Sequence, residues 1–320
     1  MTTRRNFLKN TTMLAAGLGV SPLLSSSPLR SYQKEEVING KVRIAVIGVG
    51  MGCRDLQGAL TDNPWVHCVG MCDVNKVRLE EQLARFKKDF PEQTVSIKAY
   101  TDFREVLANK EIDGVIIATP DHWHPYIFAE ALKAGKAIYV EKPVGNSISE
   151  CNAMMDFQKK YKGVVTTGLW QTSQRYFRAA NEILKSGVLG DVYKVQLWLC
   201  QSTNPRPSVE DSEAPSTLDY DMWLGPAPER PFNNSRFRGW RGFWDYGGGQ
   251  QTDWGVHWID SAFDGLKALG LCDREYPDAV FSIAYKDPAS FNETPSCQTS
   301  IFQYKNFHIE WAQQVAYLYN

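Results

Sequence analysis

Lys41–Cys53, KVRIAVIGVGMGC, limits what this chain can fold into more than any other stretch. Val42, Ile44, Val46 and Ile47 form a short apolar run rich in β-branched residues, the pattern of a strand buried on both faces. The run ends in Gly48-Val49-Gly50, where a tight turn and close backbone approach call for residues without a Cβ. A helix starting there would offer free amides to a pyrophosphate, so Gly48, Gly50, Met51 and Gly52 are the candidates to hold one. Cys53 stands where G-x-G-x-x-G has its third glycine, and on its own the turn also fits a purely structural role.

Later segments favour the nucleotide reading. Val66–Cys72 reads as a second strand with Asp73 at its end, 23 residues after Gly50. A carboxylate there accepts hydrogen bonds from an adenosine ribose and repels a 2′-phosphate, which favours NAD; Arg78 nearby leaves NADP open. Asp113–Thr119 and Ala137–Val140 are two more buried-strand signals that alternate with helical patterns, as in a parallel α/β sheet.

A chain of 320 residues can bury one or two sizeable cores. Its 35 basic and 36 acidic side chains are interspersed, with no basic stripe for nucleic acid. The seven cysteines are scattered without a C-x-x-C pair, which disfavours a zinc site or disulfide scaffold. No segment of the body has about 18 uninterrupted apolar residues, so no transmembrane span is expected there.

Thr3-Arg4-Arg5-Asn6-Phe7-Leu8-Lys9, followed by the apolar run Met13–Val20, resembles a twin-arginine export signal. It implies a periplasmic protein, with removal of the segment or its retention as a membrane tether both open. That route carries folded proteins, and free nicotinamide nucleotides are scarce outside the inner membrane. A cofactor that stays bound through the cycle is the expectation.

Along the body, Asn75–Phe90 has helical spacing and Pro91 ends it; Asp102 is an N-cap for a helix to Ala108; Arg54–Leu60 and Tyr126–Lys133 are further helices, Gly135 lying just past the latter. Ser147 and Glu150 have capping-box spacing for a helix to about Tyr161. Thr119-Pro120-Asp121-His122-Trp123-His124 falls at the carboxyl end of a strand, the edge where open α/β sheets bind ligands. Glu141-Lys142-Pro143 ends the next strand, and the Lys142 ammonium there either serves a substrate hydroxyl or a nicotinamide carboxamide or is simply solvated.

With the glycine turn, Asp73, the TPDHWH segment and EKP in this order, the chain resembles the Gfo/Idh/MocA oxidoreductases from about Val42 onward. The resemblance implies a Rossmann doubly wound parallel sheet followed by an α/β domain with a large, mainly antiparallel sheet. It also implies NAD or NADP chemistry on sugars, inositols and related polyols. By the resemblance Lys142 is the active-site lysine, and Thr119, Pro120, His124 and Glu141 belong to the cofactor site. Val164–Leu169, Val192–Leu199, Val280–Tyr285, Gln298–Gln303 and His308–Val315 are strand candidates, the last two a hairpin around Lys305-Asn306. The expected division is a signal and linker over 1–33, an NAD-binding domain over 40–170, and a substrate and oligomerisation domain over 171–320. A homo-oligomer through the second sheet is expected.

Gly247–Asp260, GGGQQTDWGVHWID, is the richest segment for chemistry. Helical spacing puts Asp253 and His257 four apart on one face. Oxidising a secondary alcohol requires a base of near-neutral pKa within hydrogen-bond reach of the hydroxyl, and an imidazole suits that task, with a nearby carboxylate to fix its orientation or bind adjacent hydroxyls. The resemblance carries the family's D-x-x-x-H pair onto these two residues. The expected roles are His257 as base, Lys142 as the group that stabilises charge on the oxygen, and Asp253 as the group that orients the sugar. Trp223, Trp240, Trp244, Trp254 and Trp258, interleaved with Arg236, Arg238 and Arg241, suit a pyranose ring or, equally, a packed loop core. Trp240, Arg241, Gln171 and Tyr176 are the substrate-binding candidates taken from these segments. His122 and His124 invite a metal reading with His257, but EKP and D-x-x-x-H already account for them, and no metal is expected.

The reading is a hydride-transferring oxidoreductase on a sugar, glycoside or polyol. One alternative is a glycosidase that uses bound NAD for transient oxidation and elimination, although retained-NAD members of that kind carry a different segment where this chain has DWGVH. The other is a non-catalytic sugar-binding protein on the same scaffold.

Overall fold

The computed structural model describes residues 41–50, 63–91, 97–201, 207–272 and 276–315. The twin-arginine motif, Met51, Gly52, Cys53 and the helix expected over Arg54–Leu60 lie outside the described residues. The chain divides into two units. The first contains the residues up to Val140, Ser147–Thr166 and Glu213–Arg230; the second contains Glu141–Asn146, Thr167–Ser212 and the chain from Pro231 onward. The main change of unit therefore falls just before residue 170, and two short segments change places around it. Glu213–Arg230 joins the first unit because backbone bonds hold it there: Lys76 N donates to Thr217 O at 2.9 Å and Asp219 N to Val74 O at 3.0 Å.

The first unit is a six-stranded sheet, order β3-β2-β1-β4-β5-β6, built from β1 (Val42–Ile47), β2 (Val66–Cys72), β3 (Lys98–Tyr100), β4 (Gly114–Ile117), β5 (Ala137–Val140) and β6 (Val165–Thr167). β1 pairs in parallel with both β2 and β4, so the strand order reverses at β1 and opens a crevice at the carboxyl ends there. The helices are α1 (Lys76–Asp89), α2 (Phe103–Ala108), α3 (His124–Lys133) and α4 (Ile148–Tyr161). Val46, Cys68, Met71 and Ile116 from the strands pack with Leu79 and Phe86 of α1 in one buried cluster. Asp102 and Ser147 cap as expected, and Asn75, read from the sequence as the first residue of its helix, is that helix's N-cap. Asn75 Oδ1 accepts from Arg78 N, Asp102 Oδ1 from Arg104 N, and Ser147 with Glu150 closes a capping box.

Two elements differ from the sequence expectation. β3 carries no apolar run; its three residues pair with β2 at the sheet edge, where Lys98 and Ala99 are exposed and only Tyr100 is buried. α3 starts at His124, two residues before Tyr126, because Pro125 falls in its first turn, where a missing N–H removes no intrahelical bond.

The second unit contains α5 (Arg175–Lys185), β7 (Lys194–Gln201), α6 (Val256–Ala268), β8 (Ala279–Tyr285), β9 (Cys297–Gln303) and β10 (His308–Val315). The strand order is β7-β10-β9-β8, with β7 parallel to β10 and the other pairs antiparallel. β9 and β10 form the expected hairpin, closed where Tyr304 N donates to Phe307 O at 2.9 Å. Register fixes the two faces, since directly paired residues share a side. Val195, Leu197, Phe302 and Ile309 face Ala262 and Leu266 of α6 and form the core. The opposite face carries Trp198, Phe281, Ile283 and Tyr285, each more than half exposed. Among the described residues, no helix is long and apolar enough to cross a membrane.

The α4 capping box is exposed: the Ser147 hydroxyl accepts from Glu150 N at 3.2 Å and lies 3.0 Å from the Ser149 hydroxyl. Ser147→Ala is expected to cost about 1 kcal/mol of stability, read as a lower midpoint with unchanged slope in urea unfolding.

Candidate active site

In the first unit the turn after β1 is built against the end of β4. Gly48 has a φ of 88°, its N donates to Cys72 O at 2.8 Å, and a Cβ on it would stand 2.6 Å from Thr119 N. Only glycine satisfies both the left-handed backbone and that approach. Asp73, at the end of β2, is buried and accepts from Val49 N at 3.0 Å and Asn75 N at 2.9 Å, one bond to each oxygen. Burial pushes its pKa up, against the pull of the two amides and of Arg78. Arg78 lies beside the turn, its Nη1 3.7 Å from where a Cβ on Gly50 would be.

At the end of β4, Thr119 Oγ1 is buried and makes no hydrogen bond among the described residues. Pro120 leads into a single turn of 3-10 helix, Asp121–Trp123. His124 is 1% exposed, and its Nε2 lies 2.9 Å from Thr119 O, so the ring braces the Thr119 backbone from beneath. His122 Nε2 lies 3.0 Å from Trp223 O. These residues fit a dinucleotide. The glycine turn has no side chain at the crevice, each Asp73 oxygen keeps a second acceptor position, and Thr119 offers an unpartnered hydroxyl.

In the second unit, Lys142 and Asp253, 111 residues apart, form an ion pair. Lys142 Nζ donates to the Asp253 carboxylate and, at 2.7 Å, to the Asp253 carbonyl. Arg241 approaches the same carboxylate oxygen at 3.2 Å, and its guanidinium lies 4.2 Å above the Trp240 ring. Asp253 reaches both cations because it sits in a π-helical turn, Gln251–Gly255, that precedes α6. The sequence spacing suggested an ordinary α-helix from Asp253; the wider turn differs from it and presents carbonyl and carboxylate together to one ammonium. Thr252 supports the turn, its Oγ1 accepting from Gly248 N at 3.1 Å.

His257, in the first turn of α6, is 4% exposed. Trp170 meets its ring edge-on at a centroid distance of 5.9 Å and Trp254 lies at 6.1 Å. Its Nδ1 has no partner among the described residues. Burial first and the Lys142 charge second push its pKa down to about 4, with Asp253 pulling the other way. The ring is therefore neutral at neutral pH, with a proton affinity below that of the near-neutral base expected from the sequence.

Of the substrate candidates, Arg241 and Trp240 join this cluster. Gln171 is buried in the turn Trp170–Ser173, which also supplies Trp170, and its Oε1 has no partner among the described residues. Tyr176 is 60% exposed on α5 and packs on Phe177. Trp170 was not among the sequence candidates, although it directly precedes Gln171. Of the tryptophans read together from the sequence, Trp223 belongs to the first unit, where it is buried against His122. Arg236 is a buried brace, its Nη2 donating to Pro231 O at 2.6 Å. Among the described residues, no group of three or more His, Cys, Asp or Glu could hold a metal ion.

Two family models match the chain: an oxidoreductase family with an NAD-binding Rossmann fold over residues 42–169, and the C-terminal alpha/beta domain of the same family over 178–267. The chain belongs to the Gfo/Idh/MocA family. An alpha-N-acetylgalactosaminidase of Tannerella forsythia is 33% identical over 163 residues, 47% of this chain and 34% of that protein. An inositol 2-dehydrogenase of Salmonella typhimurium is 24% identical over 151 residues, 47% and 43% of the respective chains. The chain thus spans about a third to two fifths of the length of these relatives. The WlbA dehydrogenase from Bordetella pertussis, solved with NADH and UDP-GlcNAcA, shares the fold with a TM-score of 0.66 at 17% identity, over 88% of this chain and 74% of that one.

The depressed His257 pKa makes a pH prediction. The folded state binds a proton there less readily than the unfolded chain, so this residue's contribution is intact above the ordinary histidine value of about 6.5 and is lost as pH falls toward about 4. His257→Gln is expected to flatten the acid limb of stability between those values, read from urea midpoints across pH.

Proposed function

We propose that the protein is an NAD(P)-dependent oxidoreductase that transfers hydride to or from a secondary hydroxyl of a sugar, glycoside or polyol, with a cofactor that stays bound. The observation that carries this reading is a neutral, buried imidazole electrostatically coupled to a lysine–aspartate pair in a chain of this family. When bound, the nicotinamide supplies the two-electron acceptor for the hydride.

The side chains divide the remaining work. His257 takes the hydroxyl proton in the oxidising direction and returns it in the reducing direction. An ammonium has three N–H donors, and Lys142 spends two on Asp253, so one is left for the substrate oxygen as charge develops on it. Asp253 and Arg241 orient neighbouring hydroxyls, and the Trp170 and Trp240 rings offer apolar surfaces to the flat faces of a pyranose. The alternative glycosidase reading is favoured by the Tannerella forsythia relative; there the same base would serve the elimination that follows oxidation. The motif at Thr3–Lys9 makes export by the twin-arginine route part of the proposal.

The test starts from purified full-length protein, assayed by absorbance and mass for bound nucleotide and then offered a panel of sugars and glycosides. Reduction of bound nucleotide with a stable keto-sugar supports the oxidoreductase; released aglycone supports the glycosidase. His257→Ala is expected to slow single-turnover hydride transfer by roughly 10²–10⁴-fold, and wild-type rates in that variant would rule out the base assignment.

Self-association of two copies through the exposed face of the second unit's sheet is also proposed, because Phe281, Ile283 and Tyr285 lie exposed along the edge strand β8 and Trp198 lies exposed on the other edge strand, β7. Ile283→Lys is expected to lower the mass measured by light scattering to that of a monomer; a monomeric wild-type protein would remove the argument.

A further inference from the structure

Building on the nucleotide reading of the first unit, we infer that the strap Glu213–Arg230 is part of the cofactor site and holds the nucleotide in place. The strap is fastened to the first unit at two points. At one, Leu218 bridges Asn75, and the flanking bonds run from Lys76 N to Thr217 O and from Asp219 N to Val74 O. These are the residues immediately after Asp73, the acid expected at the ribose. At the other, Trp123 Nε1 donates to Met222 O at 3.0 Å and to Trp223 O at 3.1 Å, and His122 Nε2 lies 3.0 Å from Trp223 O. These residues follow Thr119 and Pro120.

The two fastenings flank β1. β2 and β4 are its neighbours on either side, so their ends stand about 10 Å apart, twice the strand spacing. The strap covers that span with a single short helix, Tyr220–Leu224, capped by Asp219 Oδ1 accepting from Met222 N at 3.0 Å. It runs from the end of β2 to the turn after β4, across the carboxyl edge where the strand order reverses and where a dinucleotide lies in folds of this topology.

The fit at the second fastening is close. Trp223, Leu224 and Ala227 are buried, and Tyr220 stacks on Trp223 at 5.6 Å. Gly225 has a φ of 49°, and a Cβ on it would overlap the Trp123 indole. A side chain at 225 therefore pries the strap from the 3-10 turn without touching Gly48, Asp73 or Thr119. A nucleotide lying under the strap can leave only when one of the fastenings opens, so release becomes slow while the direct contacts to the nucleotide are unchanged.

The experiment uses the full chain loaded with NADH and chased with excess NAD, with release followed by nicotinamide fluorescence. Gly225→Ala is expected to speed release tenfold or more. Trp123→Phe, which keeps an aromatic ring and removes the indole N–H, is expected to speed it at least threefold. Amide hydrogen exchange of wild-type protein provides a measurement that needs no variant to fold, and exchange across 213–230 is expected to slow when NADH is bound. Release within twofold of wild type in both variants, or exchange of the strap indifferent to NADH, overturns the strap's role and leaves the nucleotide reading standing. A wild-type protein that takes up no NADH overturns the nucleotide reading and the strap's role with it.

Discussion

One carboxylate governs the electrostatics of the second unit's site. Asp253 takes Lys142 and Arg241 together, so the three side chains carry a net positive charge beside a buried imidazole. Burial first and the Lys142 charge second lower the pKa of His257, and the Asp253 charge only partly offsets them. Without the carboxylate two cations would face each other in a half-buried place, and a broken ion pair of this kind costs more than an absent one. Asp253 lies in the π turn, and its carbonyl as well as its carboxylate accepts from the lysine. Backbone geometry, charge and the proton affinity of the base are therefore one coupled property.

How far this was legible in the sequence depends on the range of the signal. Strands β1, β2, β5 and β10 announce themselves as β-branched or alternating runs, because burial on one or two faces writes directly into hydrophobic period. Caps at Asn75, Asp102 and Ser147 are equally local, since a side-chain oxygen need only reach two or three residues along the chain. β3 was hidden because a three-residue edge strand needs backbone pairing and little apolar surface. The π turn was hidden because a D-x-x-x-H spacing fits an α turn as well, and its contacts to Lys142 and Arg241 join residues far apart in the chain. The tryptophans show the same limit. Proximity in sequence put Trp223 with Trp240, yet Trp223 is fastened to His122 and Trp123, a hundred residues upstream, while Trp170 meets His257 across a gap of 87 positions.

Asp73 shows how a residue type expected for binding can also be needed for the fold. Its carboxylate joins the turn after β1 to the start of α1 through Val49 N and Asn75 N. Burial pushes the pKa of this acid up, and the amides and Arg78 pull against it, so part of the cost of burying the charge is met before any ligand arrives. The strap then pairs with the very next residues. Loss of the acid would disturb the glycine turn, the helix start and the strap fastening at once, and a defect in nucleotide binding after such a change would not by itself show direct contact.

The proposed resident cofactor and the low proton affinity of His257 bear on each other. If the nucleotide stays bound, one substrate must reduce it and another reoxidise it, and the same histidine must accept a proton in one half-reaction and donate it in the other. With a pKa near 4, an imidazolium formed during oxidation is a strong acid at neutral pH and gives its proton up to solvent between half-reactions. His257 is then neutral between half-reactions, and a returning carbonyl must draw its proton back from solvent through the same ring. Each half-reaction is thereby coupled to bulk pH, with oxidation favoured as pH rises, while the ammonium of Lys142 carries the charge on oxygen in both directions. A base of higher proton affinity would store the proton and tie the two half-reactions together; burial beside a cation separates them.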